Sequence, residues 1–365
     1  MADITLPSAY SELDESGQDD PQETSSLSGL DLMKEGAKGK AEGQSASRAQ
    51  EIIGTASMDS DGAITLHLHA HEGGIHGEAR LRYGKMDKQY VEILNHLKGL
   101  RPGETRLVTP FPDRAKKAST IGTETPGQET GAPDVTPPAP STPPPAMDAA
   151  VAQEVKNAVD RMEDGVKKLL QDKSISVIVT PSITTALPKL AGQQPRGWPA
   201  GTTWDSCDGA FDPGTNTAVV AAQHWEKGAW TPNTSPAGIT RHEVGHGVNF
   251  ARGFSAEQAF RAAHGKDEAQ MPPDAKKRLE YFIQPGHAGE DETFAEVFAL
   301  EQGGTSYPGY QQDISTYFPN VRQEVRSSIA GLPKTALPAR PTQPILQPTP
   351  GPLKPPPLRL QPIPF

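Results

Sequence analysis

Two clusters of proline limit how much of this 365-residue chain can join a folded core. Eight of the 37 prolines lie in 126–145 and twelve lie in 333–364, so more than half of them occupy two short segments. Because proline lacks a backbone N–H and has a fixed φ, such runs favour extended, polyproline-like chain. We therefore predict a proline-rich linker at 115–147 and a proline-rich tail at 333–365, both suited to SH3- or WW-type partners.

The first fifty residues are polar and serine-rich, and they carry ten acidic and four basic side chains. Their net charge of −6 is more than half of the chain's −10, which predicts a disordered acidic lead at 1–51. No basic residues precede an apolar stretch, so we expect no ordinary signal peptide. This fits a cytoplasmic protein, or one exported without a cleaved signal.

Composition also excludes several classes of protein. No apolar run approaches the roughly 18–20 residues that span a bilayer, so we expect no transmembrane segment. The net charge of −10 argues against general binding of nucleic acids. A single cysteine, Cys207, forbids an intrachain disulfide. A Cys–His nucleophile pair or a thiolate ligand to a metal stays open, but we favour an incidental cysteine, because its acidic neighbours should raise the pKa of this thiol.

Two foldable pieces remain, at 52–114 and 148–332. In the first, apolar and polar residues alternate from Ile64 to His71, a Gly73-Gly74 turn follows, and the alternation resumes to Tyr83. This pattern predicts a β-hairpin. An amphipathic helix is expected at 87–98, with Asp87 as its cap. We interpret this piece as a small α+β unit of unknown role.

Three histidines, His67, His69 and His71, share one face of the first hairpin strand. Their side chains stand two residues apart, so a metal site on this face is conceivable. The simpler interpretation, which we favour here, is a solvated polar face opposite a buried Ile/Leu face.

The second piece opens with apolar residues at three- and four-residue steps, which predict a helix from 151 to about 171. Strands are expected at 176–180 and 217–222, followed by several helices to 331. Strands first and helices later are typical of an α+β domain. The strand at 217–222 is either an edge strand that an extended substrate could join or an ordinary core strand. Its apolar residues run without alternation, so the sequence leaves both interpretations open.

The sharpest chemical signal is His242-Glu243-Val244-Gly245-His246. Ser235 and Pro236 suit a helix start and Gly253 suits a helix end, so the motif should lie on a helix. Residues four apart share a helix face, and the two imidazoles can therefore converge on one ion. Glu243 is placed beside them to take a proton from a water that the metal activates.

A catalytic zinc usually takes three protein ligands, so a third is needed. The extended pattern with Gly at 249 and His at 252 is absent, because Asn249 and Arg252 stand there. Downstream, Glu292 and Glu296 share one face of a predicted helix that also has an apolar side. One carboxylate would bind the ion, and the other would accept the N–H of a liganding imidazole.

These two motifs, HEVGH and the ETFAEVFA segment 46 residues later, resemble those of gluzincin metallopeptidases, most of all the lethal-factor-like catalytic domains. The resemblance covers 148–332 at most. It implies a zincin-like fold and one Zn²⁺ per chain. It also implies that His242, His246 and Glu292 are the metal ligands, that Glu243 is the general base and that Glu296 supports an imidazole ligand.

The family places a tyrosine seven residues before the liganding glutamate, where it stabilises the oxyanion. Here Pro285 holds that position. Four residues are candidates to replace it by donating a hydrogen bond to the developing alkoxide: Tyr281, His287, Tyr307 and Tyr310.

The sequence thus supports a zinc endopeptidase acting on protein or peptide substrates, and the resemblance raises the possibility of a toxin or effector. Two alternatives remain open. One is a zincin-fold binding module that keeps the metal but cleaves poorly. The other is a scaffold whose proline-rich segments recruit partners.

Overall fold

A computed structural model describes residues 51–112, 140 and 142–334. Three predicted segments fall wholly or largely outside these residues: the acidic lead at 1–51, the linker at 115–147 and the tail at 333–365. In the described part of the chain, no helix is long and apolar enough to cross a membrane.

The described residues mix helices and strands, which confirms the α+β class. The strands are β1 (Gly54–Met58), β2 (Ile64–Glu72), β3 (Ile75–Tyr83), β4 (Thr105–Val108), β5 (Ser176–Thr180), β6 (Gly209–Asp212), β7 (Thr217–Ala221), β8 (Gln223–Glu226) and β9 (Ala229–Pro232). The helices are α1 (Tyr90–His96), α2 (Ala149–Asp160), α3 (Asp164–Asp172), α4 (Ile183–Ala186), α5 (Pro236–Arg252), α6 (Gln258–Gln270), α7 (Pro273–Arg278), α8 (His287–Glu301), α9 (Gln311–Tyr317) and α10 (Pro319–Ala330).

A single seven-stranded sheet contains strands from both pieces of the chain, in the order β4-β1-β2-β3-β6-β7-β5. Strands β3 and β6 join the pieces through the antiparallel pairs His76–Phe211, Gly77–Ala210 and Glu78–Gly209. The division into separate units at 52–114 and 148–332 is therefore wrong for the sheet. The amino-acid composition predicts a linker between the two pieces. It cannot predict that β3 pairs with β6, because strands so far apart in sequence leave no local pattern that reveals their pairing.

The predicted hairpin is confirmed as β2 and β3, which pair over nine residues from Ile64–Tyr83 to Glu72–Ile75. Gly73 and Gly74 form its two-residue turn with φ of +60° and +83°. Positive φ at both central residues is what a tight type I′ hairpin turn requires, and glycine adopts it without strain. This turn fixes the register, so His71 stands directly opposite His76.

Strand β7 lies inside the sheet, between β6 and β5, so the edge-strand interpretation of 217–222 is wrong. Its unbroken apolar run has a simple reason, because both faces of the strand are buried. Val219 and Ala221 belong to the core under the hairpin, while Ala218 packs with the C-terminal helices and Val220 with α5. The edges of this sheet are β4 and β5.

Two predicted helices differ in detail from those in the structure. The helix expected from 151 to 171 is two helices, α2 and α3, separated at residues 161–163. The helix expected at 87–98 covers only Tyr90–His96, and Asp87 accepts a hydrogen bond from the Gly84 amide instead of capping it. The local polar contact competes with the cap, and short helices are sensitive to such competition.

Helix α5 carries the HEVGH motif and has the ends that the sequence predicts. Ser235 is its N-cap residue, Pro236 opens its first turn and Gly253 ends it in the left-handed conformation. The helix packs on strands β6 and β7 and against α8. A methyl group on Gly245 would lie 2.9 Å from Ala295 Cα and 3.0 Å from Ala295 O, so this glycine permits the close approach of α5 and α8.

We predict that Gly245→Ala destabilises the fold, although alanine is the better helix former. The added methyl must push α8 away, and overpacking of this kind costs about 1–3 kcal/mol of unfolding free energy. Urea unfolding with excess chelator measures the protein without bound metal. Gly265→Ala on α6 is the matched control, because nothing lies within 4 Å of its added methyl. The control should be neutral or stabilising, and equal stability of the two variants would contradict the packing argument.

Candidate metal centre

Helix α5 presents His242 and His246 on its buried face, one turn apart. Their Nε2 atoms lie 3.1 Å from each other, and the side chains of both are almost fully buried. Glu243, next in sequence to His242, is 1% exposed, and its Oε2 atom makes no hydrogen bond. The helix therefore brings two imidazoles and one carboxylate into a dry interior, as the spacing of the motif predicts.

Helix α8 supplies Glu292, whose side chain is 1% exposed. Its Oε2 atom lies 3.5 Å from His242 Nε2 and 3.7 Å from His246 Nε2. The structure thus places Glu292 with the two motif histidines, where the sequence analysis expects a third ligand.

Glu296, one turn further along α8, faces the other nitrogen of His242. Its Oε2 atom lies 2.8 Å from His242 Nδ1, and its Oε1 atom accepts hydrogen bonds from the Ser306 amide and hydroxyl. A carboxylate at Nδ1 fixes the tautomer that leaves Nε2 as a free electron-pair donor. The geometry matches the supporting role that the sequence analysis gives to Glu296.

Only part of the histidine face of strand β2 is solvated. The His71 side chain is 40% exposed, but the solvated interpretation favoured in the sequence analysis is wrong for His69. His69 is 5% exposed, and its Nδ1 atom lies 3.3 Å from Glu292 Oε2. His67 packs against the rings of Tyr307 and Tyr310, each with a centroid separation of 5.1 Å. Residues far along the chain cover this face, which alternation within one strand cannot reveal.

The neighbouring strand adds Glu78, which is also 1% exposed. Its Oε2 atom lies 4.0 Å from His242 Nε2, and neither of its oxygens has a hydrogen-bond partner. Gly209, its partner across β3 and β6, contacts Glu243, because a methyl group on this glycine would lie 2.6 Å from Glu243 Oε1. Glu78 and Glu243 thus lie together at the inner end of the cluster.

Electrostatics prepare these groups as metal donors. Burial would raise the pKa of Glu292, but His246, His69 and His242 hold that pKa well below its usual range. Burial lowers the pKa of His246 far below its usual value, and it lowers the pKa of His69 as well. Burial would also lower the pKa of His242, but Glu78, Glu292 and Glu296 raise it well above its usual value. A divalent ion requires deprotonated donors, so it would have to displace the proton of His242 but not one from His246 or His69.

Burial and neighbouring carboxylates act on the remaining acids. Burial raises the pKa of Glu78 to about 8, a shift that His242 opposes and that Glu296 and Glu292 reinforce. Burial and then Glu78 raise the pKa of Glu243 well above its usual range. Burial and the neighbouring carboxylates therefore favour the neutral form of Glu78 and Glu243.

The donor set fits a divalent ion of the zinc type. Donor atoms of a tetrahedral zinc site lie about 3.4 Å apart when the metal–ligand bonds are about 2.1 Å long. The three separations among His242, His246 and Glu292 are 3.1, 3.5 and 3.7 Å. Glu292 Oε2 has no hydrogen bond even though three imidazole nitrogens surround it, and a cation there would satisfy it. His69, His242 and Glu292 form a buried group that could hold a metal ion, and His246 Nε2 lies 3.7 Å from the same carboxylate oxygen.

Of the four candidates for an oxyanion donor, only Tyr281 is in contact with the cluster. Its ring stacks on His69 with a centroid separation of 4.0 Å, and its buried hydroxyl has no hydrogen-bond partner. His287 is wrong for this role, because its side chain is 71% exposed and pairs with Glu290 and Arg261.

The other two tyrosines already have hydroxyl partners. Tyr307 donates to Asp208 Oδ2 at 2.8 Å, and the Tyr310 hydroxyl lies 3.3 Å from Thr55 Oγ1. Cys207 is fully buried, and burial followed by Asp208 raises the pKa of its thiol well above the usual value. The thiol is held in its neutral, unreactive form, which agrees with an incidental cysteine.

Sequence reasoning considered a metal site on the face of His67, His69 and His71 but favoured a solvated face, and it did not single out His76 or Glu78. The strand alternation placed His69 and Glu78 on polar faces, and the hairpin register pairs them across β2 and β3. The same alternation of residues occurs in a strand that could contribute to a metal site and in a strand with a solvated polar face. The two differ only in the burial of that face. A buried face of this kind was not readable from 52–114 alone.

Comparison of the chain with protein-family models, curated proteins and solved structures finds no match. The resemblance to gluzincin peptidases accordingly rests on the motif residues of the sequence alone.

We predict that Glu296→Gln weakens zinc binding about 10–100-fold, because an amide fixes the His242 tautomer less well than a carboxylate. Competition with a chromophoric chelator measures the dissociation constant. Glu290→Gln is the matched control, since Glu290 lies on the same helix and pairs with Arg261. An equal loss in both variants, or none in Glu296→Gln, would show that the Glu296–His242 contact does not tune the site.

Proposed function

We propose that the protein is a zinc-dependent hydrolase of peptide bonds with a zincin-like catalytic region. The observation that carries the proposal is the convergence of His242, His246 and Glu292 beside the unpartnered carboxylate of Glu243. Two imidazoles, one carboxylate and an adjacent general base are the donor set of a hydrolytic zinc centre. The protein or peptide substrate follows from the motif resemblance.

In this proposal His242, His246 and Glu292 hold the ion, which supplies Lewis-acid polarisation of the scissile carbonyl and lowers the pKa of water. Glu243 accepts the proton of the attacking water and passes it to the leaving amine. Glu296 keeps His242 oriented through the 2.8 Å contact at Nδ1. The Tyr281 hydroxyl is buried and has no hydrogen-bond partner among the described residues. In this proposal it donates the hydrogen bond to the developing oxyanion.

A second candidate function is a metal-binding module that does not turn over substrate. His69 favours it, because this buried side chain is a fourth protein donor near the ion. Structural zinc sites have four protein ligands, whereas catalytic sites keep one position open. The near-complete burial of His242, Glu243 and Glu292 points in the same direction.

Glu243→Ala tests the hydrolase. We expect the variant to retain zinc, because Glu243 is not a ligand, and to lose cleavage of a peptide library by about 10²–10⁴-fold. Zinc content measured beside turnover separates the two functions.

Each outcome has a distinct meaning. Equal cleavage by wild type and Glu243→Ala would overturn the proposed mechanism. A wild-type protein that holds zinc but cleaves nothing would favour the metal-binding module. A wild-type protein that binds no zinc would remove both.

A further inference from the structure

We propose that the chain binds a second divalent metal ion, held by His71, His76 and the Oε1 atom of Glu292, so that Glu292 bridges two ions. The donor class, two imidazoles and one carboxylate, suits Zn²⁺ among the common cations. The inference rests on the metal-binding part of the proposed function and does not require catalysis.

The hairpin turn builds this site. The Gly73-Gly74 turn sets the register in which His71 and His76 are directly opposed on β2 and β3. Opposed side chains on one face have Cβ atoms about 4.5–5.5 Å apart, so the two imidazoles can reach one ion. Their ring centroids are 4.5 Å apart.

Glu292 completes the donor set from the opposite side. Its Oε1 atom lies 3.3 Å from His71 Nε2 and 3.9 Å from His76 Nδ1, and the three ligand atoms lie within 4.8 Å of one another. The nitrogen of His76 that faces Glu292 is buried and has no hydrogen-bond partner among the residues that the structure describes. An unpartnered nitrogen aimed at a carboxylate is the arrangement that a shared cation would satisfy.

The two oxygens of Glu292 divide the histidines between them. Oε2 faces His69, His242 and His246, while Oε1 faces His71 and His76. Five of the chain's ten histidines thus surround one carboxylate. A single ion at Oε2 leaves the donors around Oε1 unused, and a bridging carboxylate uses both sets.

The proposed second site differs from the first in its access to solvent. The side chains of His71 and His76 are 40% and 24% exposed, whereas those of His242 and Glu292 are 1% exposed. Three protein donors beside solvent leave coordination positions that a small ligand or a substrate can reach. This edge of the cluster, at the hairpin tip, is therefore where an incoming molecule would first meet a metal.

Metal stoichiometry tests the inference. The full-length protein is stripped with chelator, loaded with Zn²⁺ alone, desalted, and measured by mass spectrometry of the metal content. We expect two zinc ions per wild-type chain and one per chain in His71→Ala and in His76→Ala. His67→Ala is the matched control, because it lies on the same strand face but packs against Tyr307 and Tyr310, and it should retain two.

Calorimetric titration of the stripped wild type with Zn²⁺ gives a test that needs no variant, and we expect two sites that fill in separate phases. One zinc per wild-type chain in both measurements would overturn the second site and leave the proposed hydrolase standing. No zinc at all would overturn both. Loss of both ions in His67→Ala with its thermal unfolding unchanged would also contradict the assignment to His71 and His76.

Discussion

The ionised carboxylate of Glu292 is the interaction on which the rest of the centre depends. It is buried on α8 with imidazoles from α5 on one side and from the β2–β3 hairpin on the other. An unpaired buried carboxylate is costly, so the fold must supply compensating groups around it. Helix α5, helix α8 and the hairpin are held in one arrangement partly because this single charge needs all three.

Close packing makes that convergence possible. Gly245, inside the HEVGH motif, lets α5 approach α8, and Gly209 lets the sheet approach Glu243. Strand β3 then brings Glu78 and His76 over the same region through its pairing with β6. Gly245 and Gly209 thus set the position of the helices on the sheet and, with it, the position of the candidate metal ligands. A substitution that alters this packing should therefore also alter the candidate metal site.

The sequence predicts the features that depend on contacts between residues close together in the chain, and it does not predict those that depend on residues far apart. His242 and His246 are four residues apart on one helix, and Glu292 and Glu296 repeat that spacing, so local periodicity was enough to pair them. The hairpin was equally local, because the Gly73-Gly74 turn determines its register. The union of the two pieces in one sheet, and with it the role of His69, depends on contacts between residues more than a hundred positions apart. Alternation within β2 is the same for a solvated face and for one covered by Tyr281 and Tyr307.

The hairpin also changes what the motif residues can do. A HExxH helix with one downstream glutamate offers three donors and an open position, which is the arrangement of a hydrolytic centre. His69 lies with His242 and Glu292 in one buried group, and a bond from His69 to the same ion would close that opening. Solvent is nearest at His71 and His76, on the other oxygen of Glu292. In the proposed hydrolase, the reaction would therefore either displace His69 or proceed from the hairpin tip, and in both cases strands β2 and β3 would contribute to it.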